Sequence, residues 1–292
     1  MASTRQLKSR IRSVTNTKQI TRAMQMVAAS KMRRAQEATK ASAPYEAAGN
    51  ELLAHLASHI VTNEHPLFAR RDIKRRLIIF IAADKGLAGA YNTNALKKYL
   101  ELLRFDDQRG ITNVTLTVGR KASQFATRLK DVEVAGSYDD MPDHPAGLEF
   151  KTILNMAIDM YATKQVDAVT MVYTDFVSSI TQEATWKRLL PAGTTVSSDP
   201  KADPEPQDEV KYEPSPEAVL DGIVSRMVGA SLFQALLDAR ASEHSMRMIA
   251  MKNATDNASD LVDDLKLAMN KARQGAITQE LAEISSGVEA MG

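Results

Sequence analysis

Cysteine is absent from the 292 residues, which excludes a disulfide scaffold, an iron–sulfur cluster, a thiolate zinc site and a cysteine nucleophile. A surplus of one charge is also missing: 37 Lys and Arg face 36 Asp and Glu, so any electrostatic partner must be met by a local patch. Long apolar runs are missing too. The longest, Leu77 to Ala83, is far short of the roughly 18 residues that span a bilayer as a helix. Aromatic residues make up only 5% of the chain, while Met occurs 14 times, a balance that suits helix packed on helix.

Proline is scarce where it would matter most. Six of the ten prolines fall between Pro191 and Pro216, none follows Pro216, and Pro44 alone precedes Pro66. Proline costs a helix interior about 3 kcal/mol, so the stretch from Glu217 to Gly292 can be one very long helix, about 110 Å at about 1.5 Å per residue. The first 60 residues carry one such penalty, at Pro44, which predicts a kink or a short break there.

Met251, Ala254, Ala258, Leu261, Leu265, Ala268 and Ala272 step alternately by three and four. This heptad spacing predicts a left-handed coiled coil with a partner helix. The N-terminal segment is the other candidate, with a looser stripe of Leu7, Ile11, Val14, Ile20, Met24, Val27, Ala28, Met32 and Ala35. The two chain ends are therefore expected to pair antiparallel, bringing Val27 and Leu261 near one another. The alanines let backbones approach closely, but each layer buries little area at about 25 cal/mol per Å².

The middle of the chain alternates strand and helix. Leu77–Ala83 reads as a strand buried on both faces, Asn92–Arg104 as a helix, Val114–Val118 as a strand and Lys121–Leu129 as a helix. Val132–Val134 reads as a short strand, Leu148–Tyr161 as a helix and Val166–Tyr173 as a strand, which makes a small doubly wound α/β unit. From Ala192 to Asp221 the chain turns acidic, and its first part, rich in Pro, Ser and Thr, reads as a flexible linker.

Catalytic constellations are not evident. The turn from Ala83 to Asn92 has glycines at a G-x-x-G spacing, neither dinucleotide fingerprint nor P-loop; it reads as a tight strand-to-helix turn that offers a surface loop to a partner. A nucleotide-binding α/β enzyme with coiled-coil oligomerisation arms is the alternative reading. His55 and His59 lack the glutamate of a zinc protease motif. Asp139, Asp140 and Asp143 offer carboxylates for a divalent cation, although a solvated turn explains them as well. From Met1 to Lys40, ten Lys and Arg face one acid, Glu37. That pattern fits a transit peptide, a nucleic-acid-binding helix or a basic shaft running past acidic partners. No aromatic precedes Tyr45, so there is no platform for base stacking.

Both ends resemble one family. The run from Arg10 to Met32 resembles the N-terminal helix of the gamma subunit of F-type ATP synthases. Ala241 to His244, Arg247 to Ala258 and Asn270 to Gln274 are similar to that family's C-terminal helix, and Ile277 to Gly287 is similar to its signature. The loop from Asp84 to Asn92 and the run Tyr212-Glu213-Pro214 match as well. Val288 stands where alanine is usual, and Ala88 where a cysteine is often found, so no thiol role carries over.

This resemblance implies a fold class of α/β plus long helices: an antiparallel two-helix coiled coil of the chain ends (1–60 and 214–292), an inserted Rossmann-like α/β domain (74–190) and a linker (191–213). It implies a central rotor stalk that couples transmembrane proton flow to ATP synthesis or hydrolysis, with no catalytic residue, cofactor or metal on this chain. The implied partners are the alpha and beta subunits of an alpha3beta3 ring, the epsilon subunit and the c-ring; nucleic acid and direct membrane insertion are not implied. Arg247 and Gln274 are implied to meet the catch loop of a catalytic subunit, with Thr278 and Glu280 nearby. Lys18, Arg22 and Met24 are implied to lie near its acidic lever region. Asp84, Lys85, Gly86 and Gly89 are candidates for epsilon contact. The lack of a regulatory dithiol and of a presequence points to a bacterial complex, peripheral on the cytoplasmic side of the cell membrane.

Overall fold

A computed structural model describes residues 4–57, 65–130, 132–145, 147–193 and 216–291. Its elements run α1 (Thr4–Ala57), β1 (Arg75–Ile81), α2 (Tyr91–Asp107), β2 (Thr112–Val118), α3 (Arg120–Ala126), β3 (Glu133–Tyr138), α4 (Leu148–Ala162), β4 (Ala168–Phe176), β5 (Gln182–Leu190) and α5 (Pro216–Met291). The chain forms two compact units. One holds residues 1–29 and 247–292, the other residues 30–246. His59, the greater part of the expected linker and Tyr212-Glu213-Pro214 lie outside the described residues, as do the side chains of His55, Gly287 and Val288.

In the larger unit, five strands form one sheet in the order β3-β2-β1-β4-β5. Its first four strands are parallel, and β5 runs antiparallel to β4. The sequence reading missed β5. Its residues, QEATWKRLL, mix charge with apolar side chains, because one face of an edge strand can carry long polar side chains past the sheet. The expected short strand at 132–134 is instead Glu133–Tyr138, an edge strand with alternating exposure and therefore a weak apolar signal.

Each face of the sheet is covered. Leu77, Ile79 and Ile81 of β1 point into a core shared with Ile153, Ala157 and Tyr161 of α4 and Val224, Val228, Leu232 and Leu236 of α5. Ile78 and Phe80 face the other way, onto Ala95, Tyr99 and Leu102 of α2, and the rings of Phe80 and Tyr99 stack at 4.4 Å. The apolar run that looked buried on both faces is so, since β1 lies at the centre of the sheet.

Pro44 does not break α1, which is helical throughout Thr4–Ala57. Pro44 is exposed, so the carbonyl it leaves without a helical donor can be hydrated. Close packing of the long helices uses glycine. A Cβ on Gly49 would lie 2.5 Å from the Met227 sulfur, so a side chain there would force the Met227 thioether to move.

The smaller unit is a helix pair. Thr255 Oγ1 donates to Thr21 Oγ1 at 2.8 Å, and Lys18 Nζ donates to Ser259 Oγ at 2.8 Å. Residue numbers fall along one helix as they rise along the other, so the pairing is antiparallel. The register aligns Leu7 with Met269, Ile11 with Leu265 and Val14 with Val262. It puts Val27 and Leu261 about a dozen residues out of step, roughly 18 Å along the axis, which corrects the expected proximity of those two.

Heptad spacing holds, but its positions are corrected. From Met251 onward the covered residues of α5 are Met251, Ala254, Thr255, Ala258, Ser259, Val262, Leu265, Met269 and Ala272. Leu261 is 47% exposed while Val262 is 8% exposed. Ala268 is exposed and gives way to Met269, whereas Ala254 is half-buried beside the buried Thr255. On α1, Ile20 and Val27 are exposed; Thr21 is buried in place of Ile20, and Ala28, already in the expected stripe, is buried where Val27 is not. Two apolar stripes of the same period lie side by side on each helix, and only the facing helix selects between them.

Candidate interaction surfaces

On the helix pair, the sequence-derived residues fall into distinct settings. Lys18 is half-buried and directs its ammonium at Ser259 across the seam. Met24 is half-buried as well, and Arg22 is exposed. Gln274 and Thr278 are exposed one turn apart on α5, where Thr278 Oγ1 donates to the Gln274 carbonyl at 3.0 Å. Glu280 is exposed, but two residues on, some 200° around the helix, it points away from Thr278. Arg247 is half-buried and lies 27 residues before Gln274 on the same helix, about 40 Å by helical rise. The structure therefore brings Gln274 and Thr278 together and keeps Arg247 well apart from them.

Arg22 and cationic side chains that sequence reading took only as part of the basic N-terminal stretch complete this surface. Arg5, Lys8, Arg10, Arg12 and Arg22 of α1 are exposed, and among the described residues none of them forms an ion pair. Arg5, Lys8 and Ile11 line an open groove of about 800 Å³ with Lys266, Met269 and Arg273 of α5. Heptad counting alone could have located it, since Arg5 and Lys8 flank the seam residue Leu7.

In the sheet unit, the β1–α2 turn is held from within. Asp84 Oδ1 accepts the amides of Arg120 (3.0 Å) and Asp140 (2.9 Å), and Oδ2 accepts Arg240 Nη2 at 3.3 Å. Burial works to raise the Asp84 pKa, but these amides and the Arg240 guanidinium outweigh it and hold the carboxyl below its ordinary value. Asn92 Oδ1 accepts the Ala83 amide at 3.0 Å, and Ala88 is buried beside Tyr91 and Met246. Asp84 thus ties the loops after β1, β2 and β3 to α5. Lys85, Gly86, Leu87 and Gly89 remain on the surface, with Leu87 63% exposed.

Parallel α/β sheets bind ligands in the crevice beyond the C-terminal ends of their strands. Here Leu236, Ala239, Arg240 and Glu243 of α5 meet Met141, Pro142 and Pro145 over Ile81 and Val118, leaving about 10 Å³, room for a single water. The three aspartates after β3 do not converge on a cation. Asp139 and Asp140 pair with Arg120, and Asp143 pairs with Lys31 at 3.0 Å and His244 at 3.1 Å. Among the described residues no group of three His, Asp or Glu is arranged to hold a metal, and no helix is long and apolar enough to cross a membrane.

Comparison with known proteins decides what these surfaces belong to. A family model described as ATP synthase matches residues 3–291. The ATP synthase gamma chain of Moorella thermoacetica is 41% identical over 291 residues, and that of Xylella fastidiosa 40% identical over 292, each covering 100% of both chains. The chain belongs to the ATP synthase gamma-chain family. Among solved structures, a chain of the Tetrahymena thermophila mitochondrial ATP synthase central stalk and c-ring aligns with a TM-score of 0.58 at 25% identity, over 80% of this chain and 99% of that one. A chain of the Euglena gracilis mitochondrial ATP synthase aligns with a TM-score of 0.66 at 18% identity, over 99% and 94%. The second likeness speaks to the fold: long helices with a mixed α/β sheet, as the family resemblance implied.

Proposed function

We propose that this chain is the central rotor stalk of an F-type ATP synthase. It would turn within an alpha3beta3 ring, seated on a c-ring beside an epsilon subunit, and would reach the membrane only through that complex. The supporting observation is that a gamma-chain sequence match over the whole length coincides with an antiparallel helix pair whose outer face carries unpaired cations. Nucleotide chemistry then belongs to the ring, and this chain contributes no catalytic group.

A shaft of this kind works by differential contact. Each orientation favours one conformation of a catalytic subunit, and only the difference in contact energy between orientations can do work. Nucleotide occupancy on the ring must reciprocally bias the shaft angle. The seam residues hold the two helices together, which leaves the outward residues to read orientation. In this reading Arg22, Arg247, Gln274, Thr278 and Glu280 meet catalytic subunits, and Lys18 and Met24 support that face from the seam. An arginine suits the role because it keeps its charge and forks onto carboxylates. Lys85, Gly86 and Gly89 offer a surface to epsilon, while Asp84 positions their loop from beneath.

Co-purification with tagged alpha and beta subunits tests the assignment directly: a 3:3:1 assembly with ATP-driven proton pumping is expected. Replacing Arg247 with Ala should lower coupled activity while the melting curve of the isolated chain is unchanged. Saturable micromolar binding of ATP to the isolated chain, with no assembly formed, would instead favour the nucleotide-binding enzyme.

A further inference from the structure

Three carboxylates of the sheet unit lie within electrostatic reach of one another. Glu46 comes from α1, Asp175 from β4 and Asp238 from α5. Asp238 is only 7% exposed. Its Oδ1 accepts Gln234 Nε2 at 3.1 Å. Glu46 takes the one nearby ammonium, Lys187 of β5, at 2.6 Å, and is also held by Asn50 and by Ser231 Oγ at 3.4 Å. Asp175 has no ion pair among the described residues, and Glu183, paired with it across the β4–β5 ladder, adds a further negative charge. The Tyr173 hydroxyl group completes the titratable set, with its pKa raised by burial and by Asp175, Asp238 and Glu46.

One lysine therefore serves three acids, and it is committed to Glu46. Among the described residues, two hydrogen-bonding groups next to the Gln234–Asp238 bond are buried without partners: Gln234 Oε1, on the amide that donates to Asp238, and Thr39 Oγ1, whose backbone carbonyl accepts the same amide. An unpartnered amide oxygen beside a carboxyl group is what a protonated carboxyl, which must donate, can use.

We propose that Asp238 is a protonation-dependent clamp: as a neutral acid it lets α5 close onto β4 and α1, and on losing its proton it adds a third negative charge that loosens this packing. The inference stands apart from the rotor assignment, since it concerns only how the sheet unit holds its helices. Burial first, then Asp175 and Glu46, push the Asp238 pKa up to about 7, against the opposing Gln234 and Lys187. The folded state thus keeps a proton that the unfolded chain releases near pH 4. Stability from this group is full below about pH 4, falls as pH rises towards 7, and is constant above that.

The test is thermal and denaturant unfolding of the full-length chain from pH 4 to 9, for wild type, Asp238→Asn and Asp175→Asn, with hydrogen exchange over residues 230–242. Relative to Asp238→Asn, the wild-type unfolding equilibrium should shift by up to about tenfold per pH unit between 4 and 7 and then level off. Exchange protection at 230–242 should fall between pH 4 and 7 and level off above that in wild type, and hold in Asp238→Asn. Asp175→Asn should move the levelling point to lower pH. Parallel wild-type and Asp238→Asn profiles would overturn the proposal. If Asp238→Asn does not fold, an unmoved levelling point in Asp175→Asn overturns it equally.

Discussion

The sheet unit and the helix pair bury their residues in different ways. In the sheet, Leu77, Ile78, Ile79, Leu116, Ile153, Tyr99 and Tyr161 are fully enclosed, and the buried Arg76 is neutralised by a two-pronged bond to Asp106, at 2.8 and 2.9 Å. Burial wins over the guanidinium at Asp106, whose pKa lies above its ordinary value. In the helix pair the covered layers are one residue deep and include Lys18, Thr21, Gln25 and Thr255, while Ile20, Met26, Val27, Leu261, Leu267 and Ile277 stay exposed. One unit spends its large side chains on its own core. The other keeps several of them outside and closes on a thin seam that mixes apolar residues such as Leu7, Met251 and Val262 with small or hydrogen-bonded ones, so its cohesion comes from repetition along its length, and much of its apolar surface is left exposed.

Substitutions can break that contrast in order of size. Gly119 is expected to give the largest effect. Its φ is +92°, and a Cβ there would lie 2.1 Å from the Ala82 carbonyl oxygen, so Gly119→Ala combines backbone strain with a clash and should cost more than about 3 kcal/mol, or prevent folding, in denaturant titration. Next is Arg76→Met, which leaves Asp106 buried without its counter-charge; about 3–5 kcal/mol should be lost, and the double change Arg76→Met with Asp106→Leu should recover most of it. If the double change is no better than the single, the pair is not the unit of stability.

In the helix pair, Met251→Asp and Val262→Asp should each lower the melting temperature, at a cost of about 2–4 kcal/mol for a charge placed in the seam. Leu261→Asp should change it by less than about 0.5 kcal/mol. The opposite ranking of positions 261 and 262 would mean the seam runs along the other stripe. The smallest effect belongs to the polar layer. Thr21→Val or Thr255→Val alone should cost about 1 kcal/mol by removing the bond between the two hydroxyls, since each remaining hydroxyl still donates to a carbonyl of its own helix, that of Lys18 or Met251, and the double change should cost little more than either alone; a double-mutant cycle reads the coupling.

What could be read from the chain, and what could not, follows the same divide. Composition and spacing were enough for the long helices, because a proline-free stretch with heptad spacing has few other ways to bury its apolar residues. The central strand was legible for a related reason: Leu77–Ala83 is apolar on both faces, which only a covered strand in mid-sheet requires. β5 was not, since an edge strand shows no such signal. The candidate interaction residues came from family likeness alone, and burial then sorted them: Arg22, Gln274 and Thr278 face outward, whereas Lys18 is drawn into the seam and Asp84 beneath its loop.

By itself, then, the sequence determined periodicity: the long helices, the apolar central strands, and the pairing of the chain ends. Tertiary structure decided phase and partnership. Leu261 and Val262 are equally apolar neighbours, and nothing local to α5 chooses between them; α1 chooses, through Val14 and the Thr21–Thr255 bond. The crevice at the strand ends likewise became part of the core only because Leu236, Ala239 and Arg240, distant in sequence, fill it. Local propensity acts over a few residues, whereas the choice between two equivalent faces is made by whatever the folded chain sets opposite them.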